Sequence, residues 1–351
     1  MRWQRQYIQM YTKNRNLALI SIPLVFIIFC IGTSIGSSNI NLLDTIQILL
    51  HKMFSLPLTS EITPKEVSII WSLRVPRVLL AFLVGGSLAV SGAVVQSVLK
   101  NELASPYTLG VSSGASLGAG IVIILGINIS VLGNLTLPLV GFVFGLLTVY
   151  GVVVFSSKID KTMSNNTIIL SGMVFSLFVS AILTTLTSLF HEDLQSITLW
   201  QMGSFSMKGF SSVKAIIPFV LIGLVGIIIH NREMDILTFG EEQAKAVGVD
   251  TTKVKKRLFL FSAILTGSSV ALSGTIGFVD LIAPHIVRRI FGSKHIYVIP
   301  MSFIFGGTLM VITDLIARTI ISPAELPVGA VTALIGAPFF AYIYFGKGKR
   351  A

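Results

Sequence analysis

Ten apolar runs, each near the length that crosses a bilayer, leave this chain few ways to fold. A helix needs about 20 predominantly apolar residues to span the hydrocarbon core, where every backbone N–H and C=O must find its partner within the protein. The runs lie near residues 16–35, 76–98, 107–127, 134–156, 166–190, 213–230, 256–275, 277–291, 298–317 and 328–346, the eighth short and interrupted by Pro284. Only 12% of the residues are charged, about half the share of a soluble domain. The expected fold class is an all-α polytopic membrane protein of about ten transmembrane helices. Residues 1–351 read as one transmembrane domain, without a Gly/Ser linker or soluble module. The first run follows Arg2, Arg5, Lys13 and Arg15, is long for a signal-peptide core and shows no cleavage site, so it reads as a retained helix.

Two of the runs carry the same phrase. Gly85-Gly-Ser-Leu-Ala-Val-Ser-Gly92 returns as Gly267-Ser-Ser-Val-Ala-Leu-Ser-Gly274, in the frame G-x-S-x-A-x-S-G. Small residues let helix backbones approach closely where lipid gives no hydrophobic drive to pack. The expected packing surfaces are therefore Gly85, Ser87, Ala89, Ser91 and Gly92, with Gly267, Ser269, Ala271, Ser273 and Gly274 in the second copy. Gly110, Gly114 and Gly118, spaced by four, make a third smooth face.

Basic residues set the expected orientation. With the N-terminus inside, the inner side holds the N-terminal four, Lys100, Lys158, Lys161, the cluster from Arg232 to Arg257, Arg288, Arg289, Lys294 and the C-terminal Lys347, Lys349 and Arg350. The outer side holds Lys52, Lys65, Arg74, Arg77, Lys208, Lys214 and Arg318. Both termini are then cytoplasmic. The net charge of +11, a hint of nucleic acid in a soluble protein, here records loops facing anionic lipid, so the expected partner is the bilayer and not nucleic acid. Residues 36–75 form an outer segment with a surface helix from Asn41 to Phe54, and 232–256 form a long cytoplasmic loop. The doubled phrase then falls on helices 2 and 7 in opposite senses, as an inverted repeat of helices 2–5 and 7–10 predicts. The single cysteine, Cys30, allows no disulfide within the chain.

Short motifs follow in order. Arg74-Val-Pro-Arg77 opens helix 2, with proline expected in the first turn. Next come Ser91-Gly-Ala-Val-Val-Gln96, Asn101-Glu-Leu-Ala-Ser-Pro106 and Leu109-Gly-Val-Ser-Ser-Gly114-Ala. Further on stand Trp200-Gln-Met-Gly-Ser204, Gly240-Glu-Glu-Gln-Ala-Lys-Ala-Val-Gly248, Gly277-Phe-Val-Asp-Leu-Ile-Ala-Pro-His285, Ala324-Glu-Leu-Pro-Val-Gly329 and Leu334-Ile-Gly-Ala-Pro338. From about 74 to 340 this series resembles the permease subunits of ABC importers for iron–siderophore complexes, haem and cobalamin.

The resemblance implies a ten-helix subunit of a bacterial cell membrane that works beside a second permease copy or paralogue. ATPase subunits dock inside, carrying ATP and Mg, and a substrate-binding protein docks outside. No cofactor and no metal ligand set is expected in this chain, and no catalytic residue. By motif match, Arg74, Arg77 and Arg318 are the binding-protein docking residues, since arginine forks suit carboxylates. Gly240, Glu241, Ala244 and Gly248 mark the loop that enters a groove on the ATPase. They have the spacing of a short helix ended by glycine. Asn101, Leu103, Ser164, Asn165 and Asn166 match the inner gate, although short polar residues at a helix start are also ordinary caps. Glu102 stands where the family usually has proline, and Asp280 where it has glycine. Two placements fit Asp280: solvated at the outer end of the short eighth helix, or paired across the bundle.

A ferric–siderophore is the expected cargo only because it is the commonest one of the family. An ion-coupled secondary transporter would also show inverted repeats, with Asp280 and Asp314 as its coupling acids. An intramembrane enzyme finds no motif: there is no H-E-x-x-H or G-x-S-x-G, and no P-loop that would let the chain bind ATP itself.

Overall fold

The computed structural model describes residues 17, 20, 21, 23–36, 40–59 and 62–346. The N-terminal and C-terminal basic residues, and positions 16, 18, 19 and 22 of the expected first helix, lie outside the described residues. All ten expected runs are represented by helices. They are α1 (Pro23–Ser34), α4 (Val75–Leu99), α5 (Val111–Ile124), α6 (Thr136–Ile159), α7 (Asn165–Leu189), α9 (Phe210–Ile229), α12 (Thr251–Ser273), α13 (Val279–Phe291), α14 (His295–Thr319) and α15 (Val328–Gly346). Between them lie α2 (Leu42–Phe54), α3 (Pro64–Ser68), α8 (Leu194–Gln201), α10 (Asn231–Phe239) and α11 (Glu241–Ala246). Among the described residues, five helical stretches are long and apolar enough to cross a membrane by length and composition alone: Pro64–Leu99, Gly133–Ile159, Asn165–Leu189, Phe210–Ile229 and His295–Thr319. The fold is all-α and polytopic.

Two expected boundaries are corrected, and the eighth helix is short as expected. Helix 2 does not begin at Pro76. It runs unbroken from Pro64, through a π-helical stretch at Ile69–Arg74, into α4. A proline inside an α-helix clashes with the carbonyl four residues back. The wider π turn, in which the Val75 N–H reaches the Ile70 carbonyl, relieves that crowding. Helix 3 is divided, because Gly110 adopts φ +82° between a 3-10 turn at Pro106–Leu109 and α5. The eighth helix, α13, has 13 residues, about 20 Å at 1.5 Å each, too short for a hydrocarbon core of about 30 Å.

Of the two placements expected for Asp280, the structure excludes the solvated one. Asp280 is 1% exposed in the first turn of α13. Its carboxylate accepts a hydrogen bond from the Ser105 hydroxyl, and its backbone carbonyl accepts one from Gln96 Nε2 at 3.2 Å. Broken backbone at membrane depth is tolerated only where protein covers it, and α4, α14 and the turn before Pro106 provide that cover.

The halves pack as an inverted pair. The end of α4 meets the start of α7, where Asn165 Nδ2 donates to the Leu99 carbonyl at 2.9 Å. Lys255, near the start of α12, bonds that same Asn165. Helices α4 and α12 therefore run antiparallel. They are joined by Ser91 Oγ, which meets Ser262 Oγ at 2.5 Å and Thr266 Oγ1 at 2.6 Å. Helix α4 packs on α13 and α14, and α12 packs on α5 and α6, the matching helices of the other half. The glycines explain the close approaches. A Cβ on Gly85 would stand 2.4 Å from the Gly306 carbonyl oxygen, and one on Gly114 would stand 2.3 Å from Thr148 Oγ1. The second copy differs at its end: Gly274, at φ +77°, terminates α12 instead of packing within it.

Candidate functional site

The bundle has a polar constellation at each end. At one end, α4 and α14 bring Arg77 against Asp314, with Nη2 donating to Oδ1 at 2.8 Å and Nε at 3.0–3.1 Å to both oxygens. Arg77 Nη1 also donates to Glu325 at 2.7 Å. Asp314 is 1% exposed and lies 3.7 Å from Arg318 Nε. Arg318 donates to the Gly32 carbonyl, and Arg74 donates to the carbonyls of Thr33, at 3.2 Å, and Ser34. These are the last carbonyls of α1. A helix C-terminus leaves such groups unsatisfied and carries partial negative charge, so two buried arginines cap it. All three arginines lie together, as the sequence motifs require, but their forks are engaged within the chain.

They line a cavity of about 440 Å³ with Lys208 and Glu325. Burial pushes the Lys208 ammonium below the usual lysine range. Asp314 and Glu325 are the residues that sequence reasoning did not assign here. Their partners lie 237 and 248 positions away, beyond any local pattern.

At the other end, α11 stands between α10 and α12. Its helix ends in a Schellman pattern, with Gly248 at φ +89° and the Val249 and Gly248 N–H groups returning to Ala244 and Lys245. Ala244 is buried, and the rest of the helix is mostly exposed. Glu241 forms an ion pair with Lys255. Lys255 is fully buried and also donates to the Met163 carbonyl at 2.9 Å and to Asn165 Oδ1 at 3.3 Å. Of the residues matched to the gate, Asn165 thus touches both α4 and α12. Ser164 caps α7 by accepting from the Thr167 N–H. Asn101 bonds only its own turn, to the Leu103 N–H at 2.9 Å, and Leu103 and Asn166 are exposed. Glu102 is exposed and sits 3.5 Å from His285.

A second chain of contacts at this end was not foreseen. His295 lies between Asp235 on α10, 2.6 Å from Nδ1, and Ser97 on α4, 2.7 Å from Nε2. Burial alone would raise the Asp235 carboxyl. Hydrogen bonds from the His295 ring and backbone N–H outweigh it and hold Asp235 below the usual range. This order of serine, histidine and carboxylate is also that of a nucleophile with its base. Here Arg288 donates to the same serine oxygen at 3.2 Å and His295 is 1% exposed, so the groups tie four helices together.

Between the ends lies a hollow of about 400 Å³. Ser112, Ser113 and Ser116 on α5, Ser176 and Ser180 on α7, Gln201 on α8 and Thr275 beyond α12 line it with hydroxyls and an amide. None of its lining side chains is charged.

Residues 24–345 match the model of the FecCD transport family. The chain belongs to the FecCD transport family. It is 41% identical to an uncharacterised ABC transporter permease of Bacillus subtilis, YvrB, over 94% of each chain. It is 36% identical to the Fe(3+)-citrate import system permease YfmD of the same organism, over 94% of this chain and 95% of that one. Among solved structures it is similar to a metal-chelate type ABC transporter in an inward-facing conformation, at 30% identity and a TM-score of 0.82, covering 95% of this chain and 99% of the other. This FecCD chain is accordingly a membrane-spanning subunit of the ABC importer permease type.

Proposed function

We propose that this FecCD chain carries a ferric–siderophore across the cytoplasmic membrane as one of two permeases in an ATP-driven importer. The hydroxyl-lined hollow carries this reading. A bare cation calls for carboxylate, imidazole or thiolate ligands, whereas a chelate brings its metal already coordinated and offers oxygen atoms to hydrogen-bond donors. The Lys255 end faces the cytoplasm, in keeping with its basic residues, and both termini lie on that side. ATP and Mg sit on separate ATPase subunits, which receive α11. The exposed apolar face of α7, with Leu177 and Phe178, suits a second permease or lipid. The binding protein delivers the chelate at the Arg77 end, and ATP binding exchanges outward and inward states that differ in affinity for it.

The test is uptake in a strain lacking this chain, complemented by it and offered radioiron-labelled ferric citrate and ferrichrome, haem and cobalamin. ATP-dependent accumulation of a ferric chelate is expected. Uptake that follows an ion gradient with no need for ATP would instead support secondary transport. Of the two acids that alternative would use, Asp314 is held by arginines at one end of the bundle, and Asp280 accepts from the Ser105 hydroxyl.

Docking at Arg77 has its own measurement. A carboxylate arriving from the binding protein must share Arg77 with Glu325, whose side chain is 36% exposed. Glu325→Ala is expected to raise binding-protein affinity by about fivefold, or about 1 kcal/mol, and Arg77→Gln to lower it by a similar factor. If titration of the purified complex shows neither shift, the arginine cluster serves only to hold the helices.

A further inference from the structure

The fully buried Lys255 has a role that the family motifs do not give it. We infer that Lys255 is the positioning residue that transmits movement of the α11 coupling loop to the inner ends of α4 and α7. The inference rests on the importer reading above. An ammonium has three N–H donors, and each is directed to a different piece of the mechanism: Glu241 on α11, the Met163 carbonyl before α7, and Asn165 Oδ1 at its start. Asn165 spends its own amide N–H on Leu99, the last residue of α4, at 2.9 Å. The path from coupling loop to gate is therefore one continuous run of polar contacts, Glu241 to Lys255 to Asn165 to Leu99.

The segment that receives this contact is strained. Met163 is fully buried with φ +51°, a left-handed conformation that non-glycine residues seldom adopt. Asp160 holds the turn, accepting from the Thr162 N–H at 2.8 Å, the Thr162 hydroxyl at 2.6 Å and the Ser164 N–H at 2.8 Å. Those bonds keep its carboxyl well below the usual carboxylate range. Strain of this kind persists where surrounding contacts over-determine it, and it gathers at switch regions. Lys255 is one of those contacts. When α11 shifts, the Met163 carbonyl and Asn165 lose their donor together, and the turn is released to rearrange. A lysine with a solely structural role would need acceptors, but not acceptors on both the coupling loop and the gate.

The experiment uses the complete transporter, purified through a tag on this chain and reconstituted in liposomes with its binding protein and radioiron-labelled ferric citrate or ferrichrome. The readout is ATP hydrolysed per chelate imported, alongside the amount of ATPase bound. Lys255→Met is expected to keep ATPase binding and hydrolysis while the ratio rises about tenfold, within the range of known couplings. Lys255→Arg, which keeps donors and charge, is expected to restore part of the loss. A wild-type ratio in Lys255→Met overturns the inference. If Lys255→Met does not assemble, Asn165→Ala cuts the path on the gate side and leaves the Lys255–Glu241 pair intact. It should uncouple similarly, and an unchanged ratio there overturns the inference as well. Failure of the wild-type transporter to import any ferric chelate with ATP is a different result, and it removes the importer reading itself.

Discussion

Gly92→Ala should leave little folded protein in the membrane, whereas Gly267→Ala should be tolerated. Gly92 closes the first copy of the phrase and Gly267 opens the second, and residue type alone offers no ground for separating them. Their surroundings do. A Cβ on Gly92 would stand 1.9 Å from the carbonyl oxygen of Asp280 and 2.9 Å from its Cα. These are backbone atoms in the first turn of α13, held by Gln96 and Ser105, and they cannot step aside. Overpacking of this kind costs about 1–3 kcal/mol, and more where backbone must move. A Cβ on Gly267 would stand 3.2 Å from Phe142 Cδ2, the edge of a half-buried ring. Alanine favours a helix interior by about 1 kcal/mol over glycine, which offsets a small movement of that ring. Thermal unfolding in detergent and the amount of folded protein recovered would show the difference. Equal effects at the two positions would mean that the close approach of Gly92 to the Asp280 backbone does not limit what fits there.

Removal of Asp314 is the second change with a large expected effect. Its side chain is 1% exposed and pairs with both Arg77 and Arg318. Asp314→Ala leaves guanidinium charge buried without its counter-ion, which typically costs about 3–5 kcal/mol. Two further consequences follow from the same contacts. Arg318 loses the carboxylate that steadies its guanidinium where it caps the end of α1, so α1 should loosen first. Glu325→Ala removes the other acid on Arg77, but Glu325 is partly exposed and the loss should stay within about 1 kcal/mol. Thermal stability in detergent separates the two variants, and hydrogen exchange along residues 23–36 reports on α1. Comparable losses at Asp314 and Glu325 would show that burial does not set the strength of this cluster.

Much of the fold was legible because the bilayer makes simple demands. A run of about twenty apolar residues has little choice but to be a helix, so the helices appear near their expected places. Glycine at Gly248 foretold a helix end, and the structure has one. Boundaries failed where local backbone geometry intervened: the π turn that accommodates Pro76 and the positive φ at Gly110. Asp280 was left between two placements for a related reason, since the depth of α13 depends on what covers its first turn. Lys255 left a trace that was overlooked. It stands on the same face as the buried Thr251, Val254, Leu258, Phe259 and Ser262, and a lysine at that helical spacing on an apolar stripe signals a buried partner. Asp235 and His295 left none, being sixty residues apart.

Sequence by itself determined the class of this protein, its helices, its family and the position of the glycine-ended helix α11, because each follows from local composition or from short motifs. Tertiary structure decided which residues act together. It alone joined Arg77 to Asp314 and Glu241 to Lys255 and Asn165, and it alone gave the two copies of one phrase different neighbours. The physical reason is that charge pairing and close packing depend on distance in space, and a bundle of antiparallel helices brings together residues that the chain holds far apart.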